Sequence, residues 1–307
     1  MTPIQSVLIT GANAGLGREA ARQLALRDDI SKIYLACRNQ AKAEAAKTEL
    51  QTETGRNIFE ITLINVADPA SVRAAVGQMT SPVDAVVLNA GGTIGSNRND
   101  LTPDGVTNMF AANMLGHVVL VDELLQRQLV TSTVLYAGSE AARGIPKMGI
   151  ERPKMASYSV EEFTSIANGT KFGPKADPLE VYANIKLVGA HWMASMARQH
   201  PHIRFVTMSP GGTTGTNGMD ELPFLKRLFF KHIGGRLMPL FGMMHSIDKG
   251  ASRYVEGLLN PKFESGRFYA SGPDYPTGPV VDQSSIDPDL SNPAYQDNAN
   301  QAVHQFA

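Results

Sequence analysis

The chain has 307 residues, 43% hydrophobic and 19% charged, with a formal charge of −1. That is enough apolar material for a full core, in one large α/β domain or two small ones, and the near-neutral balance gives no general attraction to nucleic acid or to an anionic membrane surface. Cys37 is the single cysteine, which excludes an intrachain disulfide and points to a reducing compartment.

The first residues, Met1-Thr2-Pro3-Ile4-Gln5, lead straight into an apolar strand without the charged and apolar regions of a signal peptide. No apolar run reaches the roughly 18 residues of a membrane span, so a cytoplasmic location is expected, where the sequon Asn168-Gly169-Thr170 would go unused. Short apolar runs at 6–10, 32–37, 59–65, 83–90, 132–139, 203–210 and 266–271 read as strands. They are nearly continuous rather than alternating, as expected when both sheet faces are covered. Helix-length patterns lie between them at 15–27, 40–51, 69–79, 104–128, 179–200 and 246–259. This alternation predicts an α/β fold: a doubly wound, Rossmann-type parallel sheet in three αβα layers and a single domain, residues 1–272. Two stretches interrupt it. Residues 143–178 carry Pro146, Pro153, Gly169, Gly173, Pro174 and Pro178, and are too long for an ordinary connection, so they read as a functional insertion or a poorly ordered loop. Residues 211–247 include an apolar run from Phe224 to Met244. The last segment, 273–307, is polar and reads as a wrapping or partly disordered tail.

Gly11, Gly15 and Gly17 stand in Thr10-Gly11-Ala12-Asn13-Ala14-Gly15-Leu16-Gly17, after a predicted strand and before a predicted helix. In that setting glycine permits a sharp turn and lets the backbone approach a pyrophosphate. The free N–H groups and positive end of the helix favour the anion. Gly11, Asn13, Ala14, Gly15, Leu16 and Gly17 are therefore candidate dinucleotide contacts. Turns also collect glycine for no other purpose; the strand–turn–helix context is what argues against that here. An NAD site usually places an acid about 20 residues further on. This chain has Cys37 there, then Arg38. Without the carboxylate a 2′-phosphate meets no repulsion, and a guanidinium can pair with it bidentately, so NADP(H) is favoured over NAD(H). Arg18 could assist or simply be solvated. Asn65 and Val66 close the third strand, where an amide could meet the adenine edge, and Asn89-Ala90-Gly91 close the fourth, small enough for a ribose to lie against the main chain.

Tyr182 and Lys186 stand in Tyr-Ala-Asn-Ile-Lys. On a helix they project from one face, so both can address one cavity. A free phenol titrates near pH 10; a nearby ammonium, with the positive charge of an oxidised nicotinamide, should lower that value and make Tyr182 a usable general acid/base. Tyr158 competes by its closeness to Ser139, but its i+4 neighbour is Glu162, which would raise a phenol pKa.

With Thr10 to Gly17, Asn89-Ala90-Gly91, Asn113, Ser139, Tyr182, Lys186 and Pro210-Gly211 in this order, the chain resembles the short-chain dehydrogenases/reductases over about residues 4–272. Leu35-Ala36-Cys37-Arg38-Asn39 and Asn113-Met114-Leu115-Gly116-His117 look most like the retinol-dehydrogenase and protochlorophyllide-reductase branch. The resemblance implies reversible hydride transfer between a nicotinamide and an aldehyde, ketone or alcohol. It implies that Lys186 bonds the nicotinamide ribose, that Ser139 hydrogen-bonds the substrate oxygen as charge develops, and that Asn113 holds a water linking Lys186 to solvent. A strand-end cap and a satisfied helix amide are the bland alternatives for the last two. Pro210, Gly211 and Thr213 would meet the nicotinamide amide, with Gly212 and Thr214 as further donors. Three departures stand out: Asn65 replaces the family's usual aspartate, 42 residues lie between Ser139 and Tyr182 where about a dozen are common, and Gly212-Thr213-Thr214-Gly215-Thr216 leaves the family's threonine without a fixed alignment.

His117 and His191 flank apolar helical faces and read as structural; no metal-ligand spacing and no Ser-His-Asp order stands out. The run from Phe224 to Met244 fits a substrate lid for a lipophilic carbonyl compound, a core helix, or membrane-surface contact through Phe229, Phe230 and Lys231. The insertion precedes the helix that many relatives use to dimerise, so a monomer is favoured. A non-catalytic dinucleotide-binding sensor or scaffold is the alternative from another class; it would have no need of Tyr182, Lys186 and Ser139 together.

Overall fold

The computed structural model describes residues 3–93, 95–173, 175–214 and 243–307. Val7, Leu8 and Ile9 are buried at consecutive positions, which requires a strand covered on both faces. The same holds along β1 (Ser6–Thr10), β4 (Val83–Leu88), β5 (Val130–Ala137) and β6 (Arg204–Met208). With β2 (Lys32–Cys37), β3 (Phe59–Leu63), β7 (Arg267–Ser271) and β8 (Val280–Asp282) they make one eight-stranded sheet in the order β3-β2-β1-β4-β5-β6-β7-β8. β1 to β7 run parallel, and β8 pairs antiparallel with β7. The strand order reverses between β1 and β4, and the carboxyl ends of the strands at such a switch point are where α/β sheets bind ligands.

Helices cover both faces. α1 (Gly15–Ala25), α2 (Gln40–Thr54) and α7 (Ile247–Leu259) pack on one side through Ala20, Leu24, Ala43, Leu50, Ala251 and Leu258. On the other lie α3 (Pro69–Gly77), α4 and α6 (Pro178–Gln199). α4 is a composite of Asn108–Phe110, a π-helical turn Ala111–Leu115, and Gly116–Gln126. Local chemistry sets the helix starts. Asn39, Asp68, Asp177 and Ser246 each accept a backbone N–H in the first turn, with Pro69 and Pro178 just inside. Among the described residues no helix is long and apolar enough to cross a membrane.

Three expectations are refined. The helix expected over 104–128 starts later, at Asn108, because Leu101 and Thr107 bridge and the Thr107 side chain caps the first turn. The 143–178 stretch is built rather than loose: α5 (Val160–Ala167) buries Phe163, Ile166 and Ala167 against the core. Of the two readings of the C-terminal segment, the wrapping one describes it. It supplies β8, then α8 (Pro293–Val303), which packs on α5 and α6 through Ala299, Ala302 and Val303.

These two departures hold each other. Tyr295 of α8 stacks on Tyr158 at 4.2 Å between centroids. Asn298 donates to the Tyr158 carbonyl at 3.0 Å. Buried Arg143 donates to Gln283 Oε1 and to the carbonyls of Ser271, Gly272 and Pro273. The polar composition that suggested a tail is thus spent on buried hydrogen bonds. Residues 215–242, which carry Gly215, Thr216, Phe224, Phe229, Phe230 and Lys231, lie outside the described residues.

Candidate active site

The glycine turn leaves β1 at Thr10 and enters α1 with Ala14 extended and no side chain capping the first N–H groups. No acid stands in that first turn, so the uncapped donors and the helix dipole face the cleft mouth. Gly17 is required by close approach: a Cβ there would lie 2.5 Å from Asn89 Nδ2 and 2.7 Å from the Gly11 oxygen. Asn89 turns out to be a brace. Its Nδ2 donates to the Thr10 carbonyl at 2.9 Å, and the Thr10 hydroxyl accepts the N–H groups of Asn89 and Ala90.

A cleft of about 570 Å³ opens along the carboxyl ends of the strands. Its wall includes Gly11, Asn13, Ala14, Gly15, Leu16, Arg38, Asn65, Val66, Asn89, Ala90, Gly91, Ser139, Tyr182, Lys186, Pro210, Gly211 and Thr213. Of the expected residues, Gly17 and Asn113 do not line it, nor do Arg18, Gly212 and Thr214. Gly17 sits one layer behind, as its contacts show. Asn113 is used elsewhere: its amide accepts from Gly92 N–H at 2.9 Å and donates to the carbonyls of Gly92 and Met109. It anchors the Gly91-Gly92 turn, while its carbonyl accepts from the Tyr136 hydroxyl at 3.0 Å. His117 is buried between Thr10 Oγ1 at 3.2 Å and the Asn113 carbonyl at 3.3 Å, and burial pulls its pKa down to about 3. Asn65 uses its Oδ1 on the Ala67 N–H at 3.2 Å.

Tyr182, Ser139 and Lys186 meet at the inner end. The Ser139 hydroxyl lies beside the half-buried Tyr182 phenol, whose pKa it lowers, and accepts the Ala141 N–H at 3.2 Å. Lys186 is buried and donates to the Ala137 carbonyl at 2.8 Å, with Nζ 5.4 Å from the Tyr182 ring centroid. The expectation that Lys186 acidifies the phenol is not met by the chain's own groups. Burial pushes Tyr182 up to about 12; the Ser139 hydrogen bond opposes this and the Glu140 carboxylate adds to it. Burial also pulls Lys186 down to about 7. Desolvation penalises both charged forms, and it outweighs their mutual attraction here.

Tyr158 lies apart. Its hydroxyl donates to Asp289 Oδ2 at 3.0 Å and accepts from Arg152 at 3.2 Å. Glu162, thought to act on it, instead accepts the N–H groups of Ala156, Ser157 and Tyr158. His191 is buried under Tyr158 and Phe163 with burial pulling it down to about 4.

Several site residues escaped the sequence reading. Tyr254 of α7 and Ser209 line the cleft. Behind them buried Glu140 accepts from Ser209 Oγ, from the Ser271 N–H at 3.2 Å and from Arg253 at 3.4 Å. Ser209 Oγ in turn accepts the Gly211 N–H at 3.1 Å, which shapes the Pro210-Gly211 turn. The only sequence signal was a charged residue directly after Ser139 at the end of a buried strand.

Comparison with known proteins agrees with this geometry. The family model described as short chain dehydrogenase matches residues 5–143, a stretch that ends before Tyr182. Short chain dehydrogenase macD of Penicillium terrestre is 30% identical over 246 residues, covering 73% of this chain and 70% of that protein. Retinol dehydrogenase 12 of Mus musculus is 33% identical over 127 residues, 41% of this chain and 39% of that one. The match spans only part of the curated relatives' length: 39% of this retinol dehydrogenase 12 and 61% of Dehydrogenase/reductase SDR family member 12 of Bos taurus. Salutaridine reductase from Papaver somniferum has the same fold, with a TM-score of 0.62 and 17% identity over 87% of this chain and 100% of that one. A doubly wound sheet, a glycine turn at its switch point and a relative matched over 73% of this chain and 70% of its own length together decide the assignment: the chain belongs to the short-chain dehydrogenase/reductase family, with retinol dehydrogenases among its relatives.

Proposed function

We propose that this chain is an NADP(H)-dependent oxidoreductase that interconverts a lipophilic aldehyde or ketone and its alcohol, with Tyr182 as general acid/base. The observation that carries it is the meeting of Tyr182, Ser139 and Lys186 at the inner end of a cleft whose mouth is the glycine turn. The cleft fits a dinucleotide on its own features: uncapped helix donors, an absent first-turn acid, and glycines where a side chain would collide. At the end of β2, Cys37 is buried beside the Ala12 and Asn13 backbone of the glycine turn. Arg38 beside it is exposed and forms no ion pair among the described residues, which leaves a guanidinium for a 2′-phosphate.

Bound there, the dinucleotide supplies the hydride donor or acceptor. The chain supplies the rest. Ser139 Oγ donates a hydrogen bond to the substrate oxygen and holds it against the Tyr182 hydroxyl. In reduction the oxygen takes the Tyr182 proton as the carbonyl becomes an alcohol; in oxidation Tyr182 takes it back. A phenol held near 12 is fully protonated at neutral pH, the form that reduction consumes. Lys186, on the same helix face, offers its ammonium to the phenol and to the ribose region. The lipophilic substrate class follows the names of the retinol-dehydrogenase relatives and the apolar run from Phe224.

The test is NADPH consumption over a panel of ketones, aldehydes and quinones, with NADPH binding measured in parallel. Turnover that Tyr182→Phe abolishes while binding persists supports the reading. Binding without turnover on every compound would favour a dinucleotide sensor instead.

A further inference from the structure

Lys186 is 3% exposed and forms no ion pair with a carboxylate among the described residues. One carbonyl, that of Ala137 at 2.8 Å, accepts from its ammonium. A cation withdrawn from water needs more compensation than that. The rest comes from rings: Nζ lies 4.6 Å from the Tyr136 centroid and 5.4 Å from that of Tyr182, both inside the roughly 6 Å over which a ring face attracts a cation.

Tyr136 is fixed in that position. It is fully buried on β5, and its hydroxyl donates to the Asn113 carbonyl at 3.0 Å. His117 and Trp192 stand edge-on to it at 6.1 and 6.2 Å. A Cβ on Gly189 would lie 2.3 Å from the ring's Cε1. α6 thus omits a side chain one turn beyond Lys186, which admits the ring and sets the ammonium over its face. The Asn113 carbonyl also faces His117 Nδ1 at 3.3 Å, which engages its second lone pair in the tautomer protonated at Nδ1. A water held there, as the family resemblance implied, would have to displace one of these partners.

We infer that Tyr136 is a positioning residue for Lys186: its ring face, in place of a carboxylate, keeps the buried ammonium charged and aimed at the cleft. The inference rests on the reading of Lys186 as part of the dinucleotide site. Because burial alone brings this ammonium to about 7, a modest attraction decides its charge at neutral pH. The titratable groups around it are the phenols of Tyr136 and Tyr182 and the imidazole of His117, which the ammonium drives further toward its neutral form. Glu140 acts on Tyr182 and Tyr254, the latter also neighboured by Arg253. Removing the ring face should lower the Lys186 pKa by about half a unit to one and a half units; removing only the hydroxyl should not.

The experiment is a 13Cε-lysine NMR titration of the full chain, the Lys186 signal assigned with Lys186→Arg. Tyr136→Phe should titrate with the wild type, and Tyr136→Leu should shift down by at least about half a unit. A Tyr136→Leu curve that overlays the wild type, or a Tyr136→Phe curve that moves as far as Tyr136→Leu, overturns the proposal. Should Tyr136→Leu fail to fold, Gly189→Ala displaces the ring from the helix side and should lower the pKa likewise; no change there also overturns it. A wild-type chain that binds no dinucleotide would defeat the cofactor reading and leave this titration intact, so the two failures are distinguishable.

Discussion

Truncating Glu140 to alanine would strand Arg253. The two side chains are 4% and 6% exposed, with 3.4 Å between Oε1 and the guanidinium. Breaking a buried pair by deleting one partner costs about 3–5 kcal/mol, because the remaining charge is left uncompensated. Arg253 would keep the carbonyls of Gly278 at 2.9 Å and Ser209 at 3.5 Å, which places the expected loss at the lower end, about 3 kcal/mol. At about 2.1 cal/mol/K per residue, a chain of 307 residues unfolds with an entropy of about 0.64 kcal/mol/K, so Tm should fall by about 5 °C. Calorimetry on Glu140→Ala, Arg253→Met and the double variant measures this directly. The double variant leaves no buried charge and should cost less than the sum of the singles. NADPH affinity should weaken as well, since Ser209 and the Pro210-Gly211 turn lose their anchor. A Tm within about 1 °C of wild type for Glu140→Ala, with costs that simply add, would refute the reasoning.

Arg38→Ala should raise the Kd for NADPH about tenfold or more and leave NADH nearly unchanged in a fluorescence titration; equal losses for both would remove Arg38 from the 2′-phosphate. His191 has a folded pKa of about 4, below its ordinary 6.5, so the unfolded chain takes up a proton that the fold refuses. Its share of stability is lost as pH falls from about 6.5 toward 4, at about 1.4 kcal/mol per pH unit. Urea unfolding of His191→Leu should therefore show a shallower acid loss than wild type, and parallel curves would contradict the assignment. α6 is covered by α5 and α8, so no dimer should form through that helix; a dimer in sedimentation that substitutions on α6 dissociate would contradict this.

Much of this was legible in the chain because the signals were local. Continuous apolar runs located the central strands β1, β4, β5 and β6, since a strand buried on both faces has few polar positions to spare. The glycine turn was readable because its neighbours on either side, Ser6–Thr10 and Gly15–Ala25, are regular elements of the expected kind. What stayed hidden depends on partners far apart in sequence. β8 is three residues of an edge strand and means little until β7 is beside it. The pair Glu140 and Arg253 is separated by 113 positions, and Arg143 and Gln283 by 140. The effect of burial on Tyr182 and Lys186 was hidden for the same reason: spacing shows that two groups can meet, while the burial that raises one pKa and lowers the other depends on β5, α4 and α7.

The central claim is that hydride arrives from the bound nicotinamide while Tyr182 delivers the proton to the same carbonyl. Its most direct measurement uses NADPH deuterated at C4, with each face labelled in turn, an accepted carbonyl substrate, and mass analysis of the alcohol formed by wild type and by Tyr182→Phe. Deuterium is expected on the former carbonyl carbon with one labelled face only, together with a rate lowered by about 10²- to 10⁴-fold in Tyr182→Phe, with NADPH still bound. Alcohol formed without deuterium from either face, or at an undiminished rate in Tyr182→Phe, would contradict it.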